Sequence, residues 1–259
     1  MPKLRLSKLL LDYLPPVIAF AAAVVAVVGA PKWNDQAIGF AKITHIGWMV
    51  LFIGFLALGV SMVVTAKNNR EKTQKRQMRE RICAAGKAQM LEAVLHSIHP
   101  LRNDTIWKGQ DRPTSPLDFL DPKRRELLAE LNLNSVSPYM SGNFKEIKWH
   151  TMFEKAAKAG TKSMVTTLQI FVTYLPFEVI DAATKLLNCP FMQIRLLRMS
   201  DLVEANTHHD KNWRVPFFIV RNDEMHNQEY EEFWNLITQT MKLLGAESLP
   251  DGRPKFGGY

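Results

Sequence analysis

The sequence predicts a membrane α-helical hairpin, a long cytoplasmic linker helix and a small cytosolic α/β domain. Three observations lead to this fold class. Two apolar runs precede residue 67, a strongly basic segment follows them directly, and the rest of the chain mixes apolar and charged residues as water-exposed domains do. The chain has 259 residues and a net charge of +8. That length suits one or two domains with a core.

The hairpin is predicted to occupy residues 1–66. Its first span covers about residues 14–33 and its second about residues 43–66. At about 1.5 Å per residue the second run crosses a hydrocarbon core of about 30 Å, whereas the first is marginal. The first run also fits a signal peptide, with a possible cleavage site before Pro31. Pro directly after that site and the second run close behind it favour a retained helix.

The charged flanks predict the orientation of the hairpin. The fifteen residues after Ala66 contain seven Lys or Arg and two Glu, whereas the stretch between the spans carries Lys32, Asp35 and Lys42. Basic residues favour the cytoplasmic side, so both termini are expected in the cytoplasm. The residues expected at the membrane surface are Lys67, Arg70, Lys72, Lys75, Arg76, Arg79 and Arg81.

Small residues at four-residue spacing predict where the spans pack. Such positions let helix backbones approach closely in lipid. They serve either to pack the two spans of one chain or to pack neighbouring copies into a homo-oligomer. The predicted packing residues are Ala19, Ala22, Ala23, Ala26, Ala30, Ala57 and Ser61.

Residues 67–99 are predicted to form one basic linker helix, because they contain no Pro. The first half is charged nearly all round. Farther on, apolar residues at helical spacing are expected to dock on the cytosolic domain or on a second copy. His96 and His99 share a face, and we expect packing histidines rather than a metal pair. The docking positions are Leu91, Val94, Leu95 and Ile98.

Residues 100–145 read as a loop with a short helix, which Asp121 caps and Pro122 begins. Residues 146–245 are predicted to form the α/β domain, and the Pro- and Gly-rich residues 246–259 a flexible tail. The expected helices of the domain are 149–159, ending at Gly160, then 177–188 and 227–245, and the expected strands are 163–174, 190–199 and 213–223.

Residues 206–211, Asn-Thr-His-His-Asp-Lys, are the stretch whose side chains are most suited to catalysis. His209 and Lys211, with the order of elements around them, resemble phospholipase D-type domains, whose motif is His-x-Lys followed four residues later by Asp. The resemblance implies phosphodiesterase chemistry. However, Pro216 stands where Asp is required, and the motif occurs once rather than twice. We therefore predict no catalytic residues.

Two binding alternatives remain for the same region. A metal could use His208, His209 and Asp210 with Asp223, Glu224 or His226, but such clusters are more often solvated loop residues, and we predict neither metal nor cofactor. A phosphate-bearing ligand or a partner could contact a group of cationic residues near the predicted strand ends. These are Arg195, Arg198, His209, Lys211, Arg214 and Arg221.

The layout resembles two-transmembrane effector proteins of bacterial antiphage defence systems, including those paired with retron reverse transcriptases. The resemblance implies a toxin-like, non-enzymatic effector whose cytosolic domain senses or docks a protein, a ribonucleoprotein or a nucleic acid. Its hairpins would then oligomerise and disrupt the bilayer. Two alternatives stay open. One is a sensor or adaptor with the hairpin as a passive anchor, and the other is a membrane-bound phosphodiesterase.

Overall fold

The computed structural model describes residues 45–102, 106–107, 111–140, 146–207, 213–217 and 224–257, with isolated residues between 16 and 43. The chain divides into two compact units, Met1–Arg79 and Glu80–Tyr259. Most of the predicted first span, including Ala22, Ala23 and Ala30, lies outside the described residues, as do His209, Lys211 and Arg221.

Helix α1, His45–Ile98, contains both the predicted second span and the predicted linker helix. It has no Pro and only four Gly in 54 residues, so its hydrogen-bond ladder runs without interruption. The part of α1 within the first unit exposes its large apolar side chains, whereas the part within the second unit is buried from Gly86 onward on one face. Val94, Leu95 and Ile98 lie in the core, so the predicted docking on the domain is confirmed.

The second unit is mostly helical. After α1 come two 3₁₀ turns, His99–Arg102 and Pro116–Leu120, and then α2. Strands β1 and β2 pair antiparallel in a two-stranded sheet, with Val136 opposite Lys148. The elements are α2 Pro122–Glu130, β1 Val136–Met140, β2 Glu146–Lys148, α3 Trp149–Phe171, α4 Phe177–Asn188, a π-helical segment Phe191–Leu196, α5 Met199–Asn206 and α6 Glu224–Leu244.

Aromatic side chains form the centre of the core of the second unit. Phe119 stacks on Trp234 with ring centroids 3.9 Å apart and nearly parallel planes. Trp107 meets Phe119 edge-on, and Tyr230 donates its hydroxyl to the Phe119 carbonyl at 2.9 Å. Burial of such large rings supplies much of the hydrophobic stabilisation of a small domain. This cluster therefore ties α6 to the 3₁₀ turn Pro116–Leu120.

Two glycines fix the crossing of α1 and α3. A Cβ at Gly160 would lie 2.5 Å from Ser97 Cβ and 2.7 Å from the Ser97 backbone, and a Cβ at Gly86 would lie 2.9 Å from the Phe171 ring. The contacts sit about three helical turns apart on each helix and in opposite chain direction, so α1 and α3 pack antiparallel. Gly160 is thus a packing position, and α3 continues through it instead of ending there as predicted.

Three predicted helices of the second unit are confirmed. Asp121 accepts hydrogen bonds from the backbone of Lys123 and Arg124 and caps α2 as expected. Helix α4 has the predicted bounds. Helix α6 buries the predicted apolar face and ends at Gly245, whose φ of +82° suits glycine. The amides of residues 245 and 246 bond back to Lys242 and Met241, which completes a Schellman cap.

The predicted strand 163–174 is wrong, because residues up to Phe171 are helical. Its β-branched residues favour a strand by propensity, but burial follows a helical period through Gly160, Met164 and Thr167. The Thr166 and Thr167 hydroxyls donate to carbonyls four residues back, which suits threonine within a helix. Packing against α1 therefore decides the conformation.

The predicted strand 190–199 is also wrong, since Phe191–Leu196 forms a π-helical segment. It buries Phe191, Met192 and Leu196 on one side, and the Leu197 amide bonds to the Met192 carbonyl five residues back. In the region 213–223, Phe217 and Val215 pair with residues 131–133, and residues 218–223 lie outside the described part. The described domain is thus mostly helical, and a phospholipase D-like sheet is not shown.

Residues 246–257 differ from the flexible tail that their composition predicts. Pro250, Asp251 and Gly252 form a tight turn, and Ser248 pairs with Pro254 across it. Phe256 is buried and bonds through its amide to the Thr114 carbonyl at 2.8 Å. The Pro and Gly residues therefore build a turn that carries an apolar side chain back to the core.

We expect Gly160→Ala to destabilise the protein. The added methyl meets backbone atoms that cannot rotate away, and the overpacking cost of about 1–3 kcal/mol should exceed the roughly 1 kcal/mol gained from helix propensity. Denaturant unfolding of the full chain in detergent measures the loss. Gly257→Ala is the control, because no atom in the described part of the chain lies within 4 Å of the added Cβ. Equal stability of both variants would contradict the close crossing.

Candidate membrane segment and clusters of the second unit

One helix among the described residues is long and apolar enough to cross a membrane by length and composition. It is α1, and the most apolar part of it is not buried within the chain. A helix that is apolar all round is stable when other apolar matter surrounds it, as in a protein core or a bilayer. The large side chains exposed there include Trp48, Met49, Phe52, Ile53, Phe55, Leu56, Val60, Val63 and Val64.

One stripe of this apolar half is partly covered by the chain itself. Gly47, Gly54 and Ser61 lie on it at seven-residue spacing, with Leu51 and Leu58 between them. A heptad spacing keeps small residues on one side of a helix, where a neighbouring helix can come close. Of the predicted packing residues, Ser61 belongs to this stripe, whereas Ala57 and the described Ala19 and Ala26 are exposed. The sequence signal that finds the stripe is the seven-residue repeat of small residues.

A second feature of the apolar half is an open groove of about 470 Å³ centred on Gly59. No atom of the residues that the structure describes lies within 4 Å of a Cβ built at Gly59. The groove is lined by Phe52, Phe55, Leu56, Val60, Val63 and Val64. The Phe55 ring also lies 4.5 Å from the Phe20 ring, which brings a residue of the first apolar run against α1.

The predicted membrane-surface residues all lie in α1 with exposed side chains. They span the residues from Lys67 to Arg81, directly after the apolar half. Lysine and arginine at such a position interact with anionic headgroups and are solvated otherwise. The expected role of this segment is therefore electrostatic rather than catalytic.

The structure describes three of the six residues of the predicted cationic group. Arg195 Nε lies 3.6 Å from Glu229 Oε2, and Arg198 Nε lies 3.4 Å from Asp201 Oδ2. Arg214 donates to the Glu130 carbonyl at 2.9 Å. Each arginine has its own local partner on a different element, and the other three members lie outside the described residues. A shared anion site at these residues therefore stays a prediction.

His96 and His99 line a shallow groove of about 290 Å³ together with Glu92 and Leu95. Burial, and then the charge of Arg102, lowers the pKa of His99 from its usual value. No group of three metal-binding side chains is found among the described residues. The nearby arginine charge disfavours a further cation at His99.

A contact that sequence reasoning missed joins His150, Ser200 and Glu154. His150 Nδ1 lies 3.1 Å from Ser200 Oγ, and Glu154 Oε2 accepts the Ser200 amide at 2.7 Å. Partial burial raises the pKa of Glu154, but hydrogen bonds from Lys158 and Ser200 outweigh it and the pKa is lowered. Burial lowers the pKa of His150, and so does Lys148.

This cluster has the residue types of a nucleophile and base, but its arrangement serves another purpose. The Ser200 hydroxyl has one proton, and the Glu154 carboxylate is a stronger acceptor for it than a neutral imidazole. With the Ser200 hydroxyl donating to Glu154, the tautomer of His150 that completes the network donates from Nδ1 to Ser200 Oγ, and that tautomer cannot take the hydroxyl proton as a base. The Glu154 carboxylate also lies at the first turn of α5, where it stabilises exposed backbone amides. The cluster fixes the N-terminus of α5.

The two cysteines, Cys83 and Cys189, are free thiols in the structure. Burial raises the pKa of Cys189 to about 11. A thiol with that pKa is almost entirely protonated at neutral pH and is a weak nucleophile. Cys189 therefore acts as a small core residue.

Comparisons with protein-family models, with curated proteins and with solved structures found no match for this chain.

We expect the free energy of unfolding to fall as the pH drops from 7 to 5. His99 and His150 both have a lowered pKa when folded, so the unfolded chain binds more protons below about pH 6.5, and acid favours unfolding. Denaturant titrations of the full chain in detergent at both pH values measure the change. His99→Asn and His150→Asn should each reduce it, and the double variant should reduce it further. A free energy that stays flat or rises towards pH 5 contradicts the assignment.

Proposed function

We propose that this protein is a membrane-anchored effector. In this proposal the two apolar runs form a hairpin in a bacterial inner membrane with both termini in the cytoplasm. The second unit is the cytosolic domain, which docks a protein or ribonucleoprotein partner. The hairpins of several copies associate and disrupt the bilayer, and the protein itself catalyses no reaction.

The observation that carries the proposal is the contrast between the two halves of α1. In the first unit the helix exposes ten large apolar side chains in several directions, from Trp48 to Val64. In the second unit the same helix buries Met90, Val94 and Ile98 in the core. Exposing so much apolar surface to water would cost about 25 cal/mol per Å². A bilayer around the first half removes that cost, and the seven cations that follow suit its cytoplasmic face.

Two observations support a hairpin in which the two apolar runs pack against each other. The ring contact of Phe20 with Phe55 joins the first apolar run to α1. The partly covered stripe through Gly47, Gly54 and Ser61 gives a neighbouring helix room to approach closely. Charge counts on the flanks then favour a cytoplasmic location for both ends.

The groove at Gly59 supports association between copies. It lies among exposed side chains of α1 and has space for protruding apolar groups. In a bilayer, close helix packing replaces the hydrophobic effect as the force that joins helices. The role in antiphage defence follows from the resemblance of the layout to two-transmembrane effectors and forms part of the proposal.

A sensor or adaptor with a passive anchor is the second candidate. The observation in its favour is the self-contained core of the second unit, which begins at Glu80 and includes a complete aromatic cluster. A domain with its own core can bind a partner without any help from the hairpin.

The first test exchanges residues 1–66 for an unrelated two-helix hairpin of equal length. We expect the native protein to release dye from vesicles of phosphatidylethanolamine and phosphatidylglycerol and to depolarise expressing cells, and the exchanged protein to do neither. Sedimentation and protease mapping control for insertion and orientation. Retention of full activity after the exchange would favour the passive anchor, and dye-tight vesicles with the native protein would refute the effector.

The second test fills the groove with Gly59→Leu. If another copy packs there, the larger side chain should weaken self-association roughly 5- to 150-fold, as a cost of about 1–3 kcal/mol implies. Cross-linking across a dilution series in lipid measures the change, and dye release should fall with it. Val63→Leu is the matched control, since that groove position already carries a branched side chain. Unchanged association would show that the groove faces lipid.

A further inference from the structure

The C-terminal residues 246–257 form a hairpin-like segment that returns to the end of α1. The Schellman cap at Gly245 reverses the chain after α6. Two backbone bonds, from Leu249 to Arg253 and from Lys255 to Glu247, then close the turn at 2.8 and 2.6 Å. Hydrogen bonds within the segment thus hold its turn, apart from the contacts that the segment makes with the rest of the domain.

The segment is attached at its far end by one aromatic side chain and its backbone. Phe256 is buried against Phe119, with ring centroids 6.2 Å apart, and the Arg102 guanidinium lies 4.8 Å from the centre of the Phe256 ring. Arg102 also donates to the Gly257 carbonyl at 3.1 Å. Arg102 is the last residue of the 3₁₀ turn that continues directly from α1. The attachment therefore holds the C-terminal end of α1.

A second attachment is electrostatic. Arg253 Nη1 lies 2.6 Å from Asp118 Oδ1, in the 3₁₀ turn Pro116–Leu120. The Asp118 carboxylate is itself held by the amides of Thr114 and Ser115 at 2.8 and 3.0 Å. Asp118 is thus pre-positioned for a cation, and Arg253 supplies it from the returning segment.

Most of the returning segment remains accessible. Among residues 246–257 only Pro254 and Phe256 are buried, and the turn at Pro250, Asp251 and Gly252 is exposed. A segment held at two points and otherwise solvated can detach while the helices stay packed, because few core contacts are lost. Detachment would remove two contacts from buried Arg102 and uncover the edge of the Phe119 ring.

We propose that residues 246–257 are a releasable clasp, which holds the C-terminal end of α1 on the domain and restrains the membrane activity until a partner displaces it. The inference rests on the proposed function, since the activity that it restrains is the disruption of the bilayer. Helix α1 connects the two, because it carries the apolar half and ends at the clasp.

The test uses the full chain and two variants that open the clasp at different points. Phe256→Ala removes the buried ring, and Arg253→Ala removes the closer of the two cations at Asp118, leaving Arg124 Nη1 3.9 Å from Asp118 Oδ2. Lys255→Ala is the matched control, because this exposed side chain lies between them and its backbone bond to Glu247 persists. Hydrogen–deuterium exchange reports opening of residues 95–102 and 114–120. Dye release from vesicles of phosphatidylethanolamine and phosphatidylglycerol reports the restrained activity.

We expect both opening variants to exchange faster than the native protein and to release dye at least about fivefold faster, the lower end of typical coupling between sites. Lys255→Ala should match the native protein in both measurements. The proposed restraint would be overturned if a variant showed faster hydrogen exchange but released dye at the native rate or more slowly. Unchanged hydrogen exchange in both variants would also overturn it. If no protein, native or variant, releases dye while exchange reports opening, the proposed function fails and the restraint falls with it. Circular dichroism confirms that each variant is folded.

Discussion

The close approach of α1 and α3 at Gly160 is the constraint on which the second unit depends. Ser97 lies so near Gly160 that only a hydrogen fits on the Gly160 Cα. The Ser97 hydroxyl donates to the Val94 carbonyl at 2.7 Å. No polar group is therefore left unsatisfied at the tightest point of the contact. The helices meet again at Gly86 and Phe171, so their direction and register are both fixed. The other elements of the unit pack around this pair.

The aromatic cluster extends the same core to the C-terminal part of the chain. Phe119, Trp234 and Tyr230 link the turn after residue 115 to α6, and Phe256 adds the returning segment. Residues close to α1 in space thus come from sequence more than a hundred positions away. An arrangement of this kind makes the end of α1 sensitive to changes at the C-terminus.

Charge is distributed in two distinct ways along the chain. The cations from Lys67 to Arg81 are exposed on one helix, in the manner expected at an anionic membrane surface. Several described arginines of the second unit instead have specific local partners, such as Asp118 for Arg253 and Glu229 for Arg195. Their function in the described structure is to connect elements. The net positive charge alone therefore does not indicate a nucleic-acid surface.

The sequence by itself determined the features that local chemistry specifies. Length and apolarity predicted the membrane-capable helix, Asp121 and Pro122 predicted the start of α2, and helical spacing of apolar residues predicted α4 and α6. Only the tertiary structure decided the conformation of residues 163–171, because their β-branched composition favours a strand but packing against α1 imposes a helix. It also decided the role of Gly160, the π-helical segment, the contact of His150 with Ser200 and the docking of Phe256. Each of these depends on a partner distant in sequence, and local propensity contains no information about that partner.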